Sequence, residues 1–140
     1  MEDVKDSTLL RKIFPELSNY IKLIASSPIR RRATVGGNIV NASPTGDMTI
    51  IFLALNASIT LSNGKSSREV SLRDFFKGYK DLDMNEGEIL EAVSFSLPEE
   101  RQFFNFEKVS RRKHMDIASV NSAIHIQAEN GTVQNAHLSA

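Results

Sequence analysis

The stretch that decides the fold is IRRRATVGGNIVNASPTGD, residues 29–47. It contains the adjacent glycines Gly36 and Gly37 among hydrogen-bonding side chains, and it follows neither the helical nor the strand period. We therefore predict an ordered loop or extended segment over residues 28–47. Because glycine has no side chain, the backbone there could turn through positive φ and lie close to a flat or anionic ligand. This pattern suits a nucleotide cofactor, but the residues alone favour a tight turn with polar decoration, because a single glycine pair is a weak signal.

Upstream of this stretch, apolar residues recur every three or four positions, which is the spacing of one helical face. They are Leu10, Ile13, Leu17, Ile21 and Ile24. Proline is tolerated in the first turn of a helix but not in its middle. We predict one helix ending near Ile13, a second beginning at Pro15, and an end to helical structure at Pro28.

Downstream, Asp47 precedes the apolar run 48–55, which predicts a short buried helix capped by the Asp47 carboxylate. The next segments, 57–61 and 68–72, flank an Asn-Gly pair and predict an antiparallel hairpin. Alternating or β-branched segments predict four further strands, the last two joined across a second Asn-Gly pair. These strands are 88–97, 104–109, 120–128 and 132–138, and a helical turn is expected over 72–77.

The composition excludes several classes of function. The chain has 140 residues, with 17 basic and 17 acidic side chains, so no long-range field favours nucleic acid or an anionic membrane. It has no cysteine, which excludes disulfides, thiolate-held zinc or iron–sulfur clusters, and a thiol nucleophile. The mixed charges of the first residues are unlike a secretory signal, and no apolar run is long enough to span a bilayer, so we expect a cytoplasmic protein.

Neither a metal site nor a catalytic constellation is identifiable. The three histidines, His114, His125 and His137, lack the spacing of metal ligands, and His125 is expected on the solvent face of its strand. The basic clusters Arg30–Arg32 and Ser110–Lys113 are interpreted as surface or inter-subunit contacts rather than as a nucleic-acid site.

One part of the sequence resembles a known family. TVGGN at 34–38, followed by ASP at 42–44 and then Asp47, is similar to the TIGGN…SP…D signature of FAD-binding modules in xanthine dehydrogenases, aldehyde oxidases and carbon monoxide dehydrogenase medium subunits. EILEAVSFSLP and FEKVSRRKHMDIASVNSA continue the resemblance in order and spacing.

The resemblance implies a set of cofactor-binding residues. Thr34, Val35, Gly36, Gly37 and Asn38 would wrap the FAD, and Asp47 would be a polar contact. Leu90 would press apolar surface on the flavin region, Lys108 would reach it from the following domain, and Ile24 would pack at its edge. A cation there is chemically sensible, because reduction builds negative charge on the ring.

The resemblance also implies an α+β fold: the second subdomain of a vanillyl-alcohol-oxidase/PCMH-type FAD-binding module, an antiparallel sheet with flanking helices, over 1–98. Residues 99–140 would begin a second α+β domain of the carbon monoxide dehydrogenase flavoprotein type. No glycine precedes Gly36, so we expect that an upstream subdomain with a glycine-rich phosphate loop is missing, that the final domain is incomplete, and that this chain does not hold FAD alone.

The function implied by the resemblance is electron transfer through FAD, from iron–sulfur clusters to NAD or another acceptor, as part of a xanthine dehydrogenase-like oxidoreductase. Molybdopterin and [2Fe–2S] clusters are expected on partner subunits, and the upstream FAD subdomain is a further expected partner. The alternative is a cofactor-free remnant that serves only as a structural or interaction piece.

Overall fold

The computed structural model describes residues 1–98, 102–112 and 114–140. Seven helices, all of eight residues or fewer, and eight strands follow one another in this described part. The helices are α1 (Glu2–Asp6), α2 (Thr8–Ile13), α3 (Leu17–Lys22), α4 (Ser27–Arg32), α5 (Val35–Val40), α6 (Asp47–Ala54) and α7 (Leu72–Phe75). The strands are β1 (Ser58–Ser62), β2 (Ser67–Ser71), β3 (Phe76–Gly78), β4 (Asp81–Leu82), β5 (Ile89–Ser94), β6 (Gln102–Val109), β7 (Val120–Glu129) and β8 (Thr132–Ser139).

The predicted helical opening is confirmed. Helix α2 ends at Ile13, and α3 begins at Leu17, two residues later than predicted, because Pro15 lies in the connecting turn. Leu17 and Ile21 are buried on the predicted face.

The prediction of loop or extended chain over 28–47 is wrong. Pro28 opens α4 in its first turn instead of ending the helical region, and α5 holds both glycines. Each helix has only six residues, too few to be stable alone, and α5 also contains two glycines, so tertiary contacts decide their conformation.

The buried helix predicted after residue 47 is confirmed as α6, whose residues 48–51 are all buried. The capping role given to Asp47 is wrong. Gly46 occupies the N-cap position and makes no side-chain cap bond, while the Asp47 side chain bonds to distant strands.

The first sheet has the strand order β2-β1-β5 and is antiparallel throughout. The predicted hairpin is confirmed: Ser62 pairs with Ser67, and the Asn63 side chain accepts hydrogen bonds from backbone N–H groups inside the loop. Strand β5 pairs with the other side of β1, so the segment predicted as a strand before Pro98 forms one edge of this sheet.

The second sheet has the order β6-β7-β8, also antiparallel. Asn130 and Gly131 both have positive φ and form the predicted two-residue turn. Phe106 and Ala123 pack this sheet into the same apolar cluster as α3 and α6. The domain boundary between residues 98 and 99 stays a prediction, since Glu99 lies outside the described residues.

Two apolar clusters form the core. The first joins α3 and α6 to the second sheet, and the second lies between the first sheet, α5 and α7. Phe52 and Phe95 pack against both clusters, with their ring centroids 6.0 Å apart. Within the described ranges, none of the helices combines the length and the apolar character needed to cross a bilayer.

Candidate functional site: a cleft and a buried ion pair

Thr34 begins the central element of the site by capping α5. Its backbone is extended, and its hydroxyl accepts a hydrogen bond from the N–H of Gly37 at 2.9 Å. Gly37 is required for this geometry, because a Cβ there would lie 2.8 Å from the Thr34 Oγ1 atom. The expectation of positive φ at the two glycines is wrong. In the described residues, positive φ among glycines is confined to Gly64, Gly87 and Gly131, all outside α5.

Gly36 fits α5 closely against β5. A Cβ at Gly36 would lie 3.3 Å from the carbonyl oxygen of Leu90 and 3.4 Å from its Cδ2 atom. The glycine therefore lets the helix approach the strand, and the two elements form adjoining walls of one cavity.

That cavity is a cleft of about 750 Å³. Its lining includes Thr34, Val35, Gly36, Gly37 and Val40 from α5 and its cap, Ile89 to Val93 from β5, and Val4, Leu10, Phe52, Met84 and Phe95. Glu91 is the one charged side chain among these lining residues. An apolar cleft with a glycine backbone on one wall fits a flat ring system, which needs close approach and few polar partners.

Asp47 lies outside the cleft lining, in a buried polar network. Lys108 donates to the Asp47 Oδ2 atom at 2.8 Å, and the side chains are 3% and 10% exposed. Asn121 donates to the other oxygen, Oδ1, at 2.8 Å. Lys108 also donates to the backbone carbonyl of Leu23 at 3.1 Å, and Asn121 to that of Thr45 at 3.3 Å. The network ties the start of α6 to β6, to β7 and to the end of α3.

Asn38 connects the cleft to this network. It lies in α5, and its side-chain oxygen accepts a hydrogen bond at 3.2 Å from the N–H of Met48, the residue after Asp47. Asn38 thus caps α6 from a distance and fixes the spacing between the two halves of the site.

The structure groups the predicted site residues as follows. Thr34, Val35, Gly36, Gly37 and Leu90 line the cleft. Asp47 and Lys108 contact each other instead of the cleft, and Asn38 lies between the two groups. Ile24 is 4% exposed in the first apolar cluster, one residue after the carbonyl that binds Lys108.

Sequence reasoning missed Asn121 as a member of the site. The residue stands in VNSA, one of the motifs that carry the family resemblance, and it is 4% exposed. Strand alternation places it on the same face as the buried Ala123, and that signal could have identified a buried amide.

Two predictions about charged groups need correction. Arg30 is buried, not a surface contact: its guanidinium donates to the Glu2 carboxylate and to the carbonyls of Ile24 and Ala25. The Arg30 hydrogen bond, followed by that of Lys5, lowers the pKa of Glu2 to about 2. The arginines at 31 and 32 are exposed as predicted, and Lys113 of the second cluster lies outside the described residues.

His125 also differs from its prediction. It points to the face of β7 that carries the buried Ala123, not to solvent, and its Nε2 atom is buried with no hydrogen-bond partner among the described residues. Burial, and secondarily the charge of His137 opposite it, lowers the pKa of His125.

Comparisons with known proteins bear on the family and the fold of this chain. The family model described as the FAD binding domain in molybdopterin dehydrogenase matches residues 1–99. The glyceraldehyde dehydrogenase medium chain of Sulfolobus acidocaldarius is 31% identical over 125 residues, which cover 89% of this chain and 44% of that protein. The xanthine dehydrogenase/oxidase of Rattus norvegicus is 30% identical over 129 residues, 91% of this chain and 10% of that protein.

A solved structure of reconstituted CO dehydrogenase from Oligotropha carboxidovorans matches 98% of this chain and 48% of its own, with a TM-score of 0.89 and 27% identity. This chain thus shares its α+β arrangement of short helices and antiparallel sheets with that CO dehydrogenase chain. This chain belongs to the family of FAD-binding domains of molybdopterin dehydrogenases. It spans less than half the length of each of these three proteins.

Proposed function

We propose that this chain holds the flavin end of FAD within a xanthine dehydrogenase-like oxidoreductase of the cytoplasm. In this proposal, the backbone of Val35–Gly37 and the side chain of Leu90 receive the flat ring, and Thr34 and Asn38 fix the shape of the helix that carries this backbone. When bound, FAD supplies the redox chemistry that passes electrons from iron–sulfur clusters to NAD or another acceptor. The iron–sulfur and molybdopterin groups would be on partner subunits.

The observation that carries the proposal is the contact of Gly36 with Leu90. It brings a backbone without a side chain and an apolar strand together in a cleft of about 750 Å³, within the size range of small-molecule sites. The residues present therefore fit a flavin ring. Membership of the FAD-binding family supports the choice of cofactor.

Asp47, Lys108 and Ile24 have a different part in this proposal. They lie outside the cleft lining, and the Asn38–Met48 hydrogen bond links α5 on the cleft wall to the helix that begins at Asp47. In this proposal, Lys108 would supply a fixed positive charge to the ring edge. Such a charge stabilises the negative charge that reduction creates. We also propose that residues 1–98 form one domain and 99–140 the beginning of another, since the family match ends at residue 99.

The test is a titration of the full chain with FAD, monitored by flavin fluorescence. The titration is carried out on this chain alone, and again on this chain co-produced with those regions of the Sulfolobus medium chain that it does not span. Gly36→Val should weaken binding by about tenfold or more, because the added side chain needs space that Leu90 occupies. Gly78→Val is the matched control, since Gly78 has ordinary φ and lies outside the cleft lining. The absence of bound flavin in both preparations would overturn the proposal.

A second candidate function is that of a cofactor-free structural piece. The buried Asp47–Lys108 pair favours it, because both charges are neutralised within the protein. Tight, stoichiometric FAD binding by the full chain alone would eliminate this candidate.

A further inference from the structure

We infer that Asn121 is a positioning residue of the proposed flavin site, which sets how much of the Lys108 charge remains available to the bound flavin. The inference rests on the proposed function and deepens it. Its subject is a residue outside the cleft that acts only through Asp47 and Lys108.

The register of the second sheet provides the first observation. Lys108 on β6 and Asn121 on β7 are direct cross-strand partners, so their side chains leave the sheet side by side. Both reach α6, where each donates to a different oxygen of Asp47 at 2.8 Å. The carboxylate is therefore held by two donors of fixed separation.

The hydrogen-bond capacity of each group provides the second observation. An ammonium has three donors, and two of those on Lys108 have acceptors among the described residues, the Asp47 carboxylate and the Leu23 carbonyl. The third donor has no acceptor among the described residues. An electron-rich oxygen or nitrogen of a reduced flavin is the chemical class that this donor would stabilise.

The neutrality of Asn121 explains why an amide suits this position. Its N–H groups satisfy the Asp47 Oδ1 atom and the Thr45 carbonyl without adding charge. The carboxylate then presents only its Oδ2 atom to Lys108. If this donor were lost, both carboxylate oxygens could turn toward Lys108 and compensate its charge more fully, and a carboxylate at 121 would compensate it further.

The experiment measures the affinity of the full chain for oxidised and for reduced FAD, in whichever preparation described above holds the cofactor. Asn121→Leu should lower the ratio of reduced to oxidised affinity by about tenfold, a fall of about 30 mV in the two-electron midpoint potential. Asn121→Asp should lower it at least as much. Asn135→Leu, an exposed asparagine on the neighbouring strand β8, is the matched control and should leave the ratio unchanged.

The outcomes separate this inference from the proposed function. A purely structural role for Asn121 would weaken both redox states equally and leave the ratio and the potential at their original values, which overturns the inference while FAD binding stands. A wild-type chain that binds no FAD in either preparation overturns the proposed function, and the inference with it. A lowered ratio in both Asn121 variants, with the Asn135→Leu ratio unchanged, supports the inference.

Discussion

Lys108 and Asn121 face each other across β6 and β7, and each donates a hydrogen bond to a different oxygen of the Asp47 carboxylate. This geometry ties the start of α6 to the second sheet. It also places a charged pair where water is excluded, since the Lys108 side chain is only 3% exposed. The stability of the chain should therefore depend on this pair more than on any surface ion pair.

We expect Lys108→Met to destabilise the chain by about 3–5 kcal/mol, because it leaves the Asp47 carboxylate buried without its ionic partner. Urea unfolding near neutral pH measures the change. The control is Arg112→Met, which removes a pair between Asp116 and an arginine side chain that is 72% exposed; it should cost less than about 1 kcal/mol. Equal losses in the two variants would show that the Asp47 pair is as well solvated as the surface pair.

Gly37→Ala should remove the Thr34 cap, and loss of the cap should lower the free energy of unfolding by about 1 kcal/mol. The added Cβ would lie 2.8 Å from the Thr34 hydroxyl and force it away from its acceptor position. A double-mutant cycle tests this: Thr34→Ala should be destabilising in the wild type and nearly neutral when Gly37→Ala is present. Ser7→Ala, which removes the cap of α2, should be additive with Gly37→Ala.

Strands β1, β2 and β5 to β8 and helix α6 were predictable because their signals are local, whereas the short strands β3 and β4 were not predicted, and β3 falls partly in the predicted helical turn 72–77. Alternation in β7, the Asn130-Gly131 turn and the mostly apolar run of α6 each predict a structure from about ten consecutive residues. The family resemblance then supplied the cofactor and the fold class, which no periodicity shows.

The helices between residues 27 and 40 were not predictable, since their causes lie far away in the chain. Arg30 is fixed by Glu2, and Gly36 by Leu90, across 28 and 54 positions. A glycine pair predicts a turn by local statistics, whereas here both glycines serve close contacts within a helix. The pairing of Asp47 with Asn121 was hidden for the same reason.

Asn38→Leu should make the backbone amides in the first turn of α6 more accessible to hydrogen exchange. The substitution removes the oxygen that accepts the Met48 N–H at 3.2 Å, and we expect a cost of about 1 kcal/mol. Hydrogen exchange at the Met48 amide should become faster relative to amides in the middle of β1. Asn41→Leu, an exposed asparagine directly after α5, should leave that amide unchanged. Unchanged exchange in Asn38→Leu would remove Asn38 from its bridging role.

Acid should weaken the attachment of α1 to α4. Arg30 lowers the folded-state pKa of Glu2 to about 2, below the ordinary value of 4.5. The unfolded chain therefore takes up the proton first, so this contribution to stability is complete above pH 4.5 and is lost as the pH falls toward 2. In urea unfolding, Glu2→Gln should be less stable than the wild type near neutral pH and should show a smaller further loss below pH 4.5. Glu129→Gln, at an exposed strand end, should follow the wild-type acid profile.

A second loss of stability should appear at milder pH, through His125. Burial lowers the folded-state pKa of this imidazole below its ordinary value of 6.5. As the pH falls through 6.5, the unfolded chain is protonated first, so the free energy of unfolding decreases until the pH reaches the folded-state pKa. Denaturation at about pH 7.5 and about pH 5.5 measures this change. His125→Gln should reduce the difference between the free energies of unfolding at the two pH values, because glutamine does not titrate. The control, His114→Gln at an exposed position, should leave that difference at the wild-type size. If His125→Gln showed the same pH difference as the wild type, proton uptake at His125 would not be the cause of that difference. Water in the adjoining polar cavity of about 210 Å³ would then have to solvate the imidazolium in the folded chain.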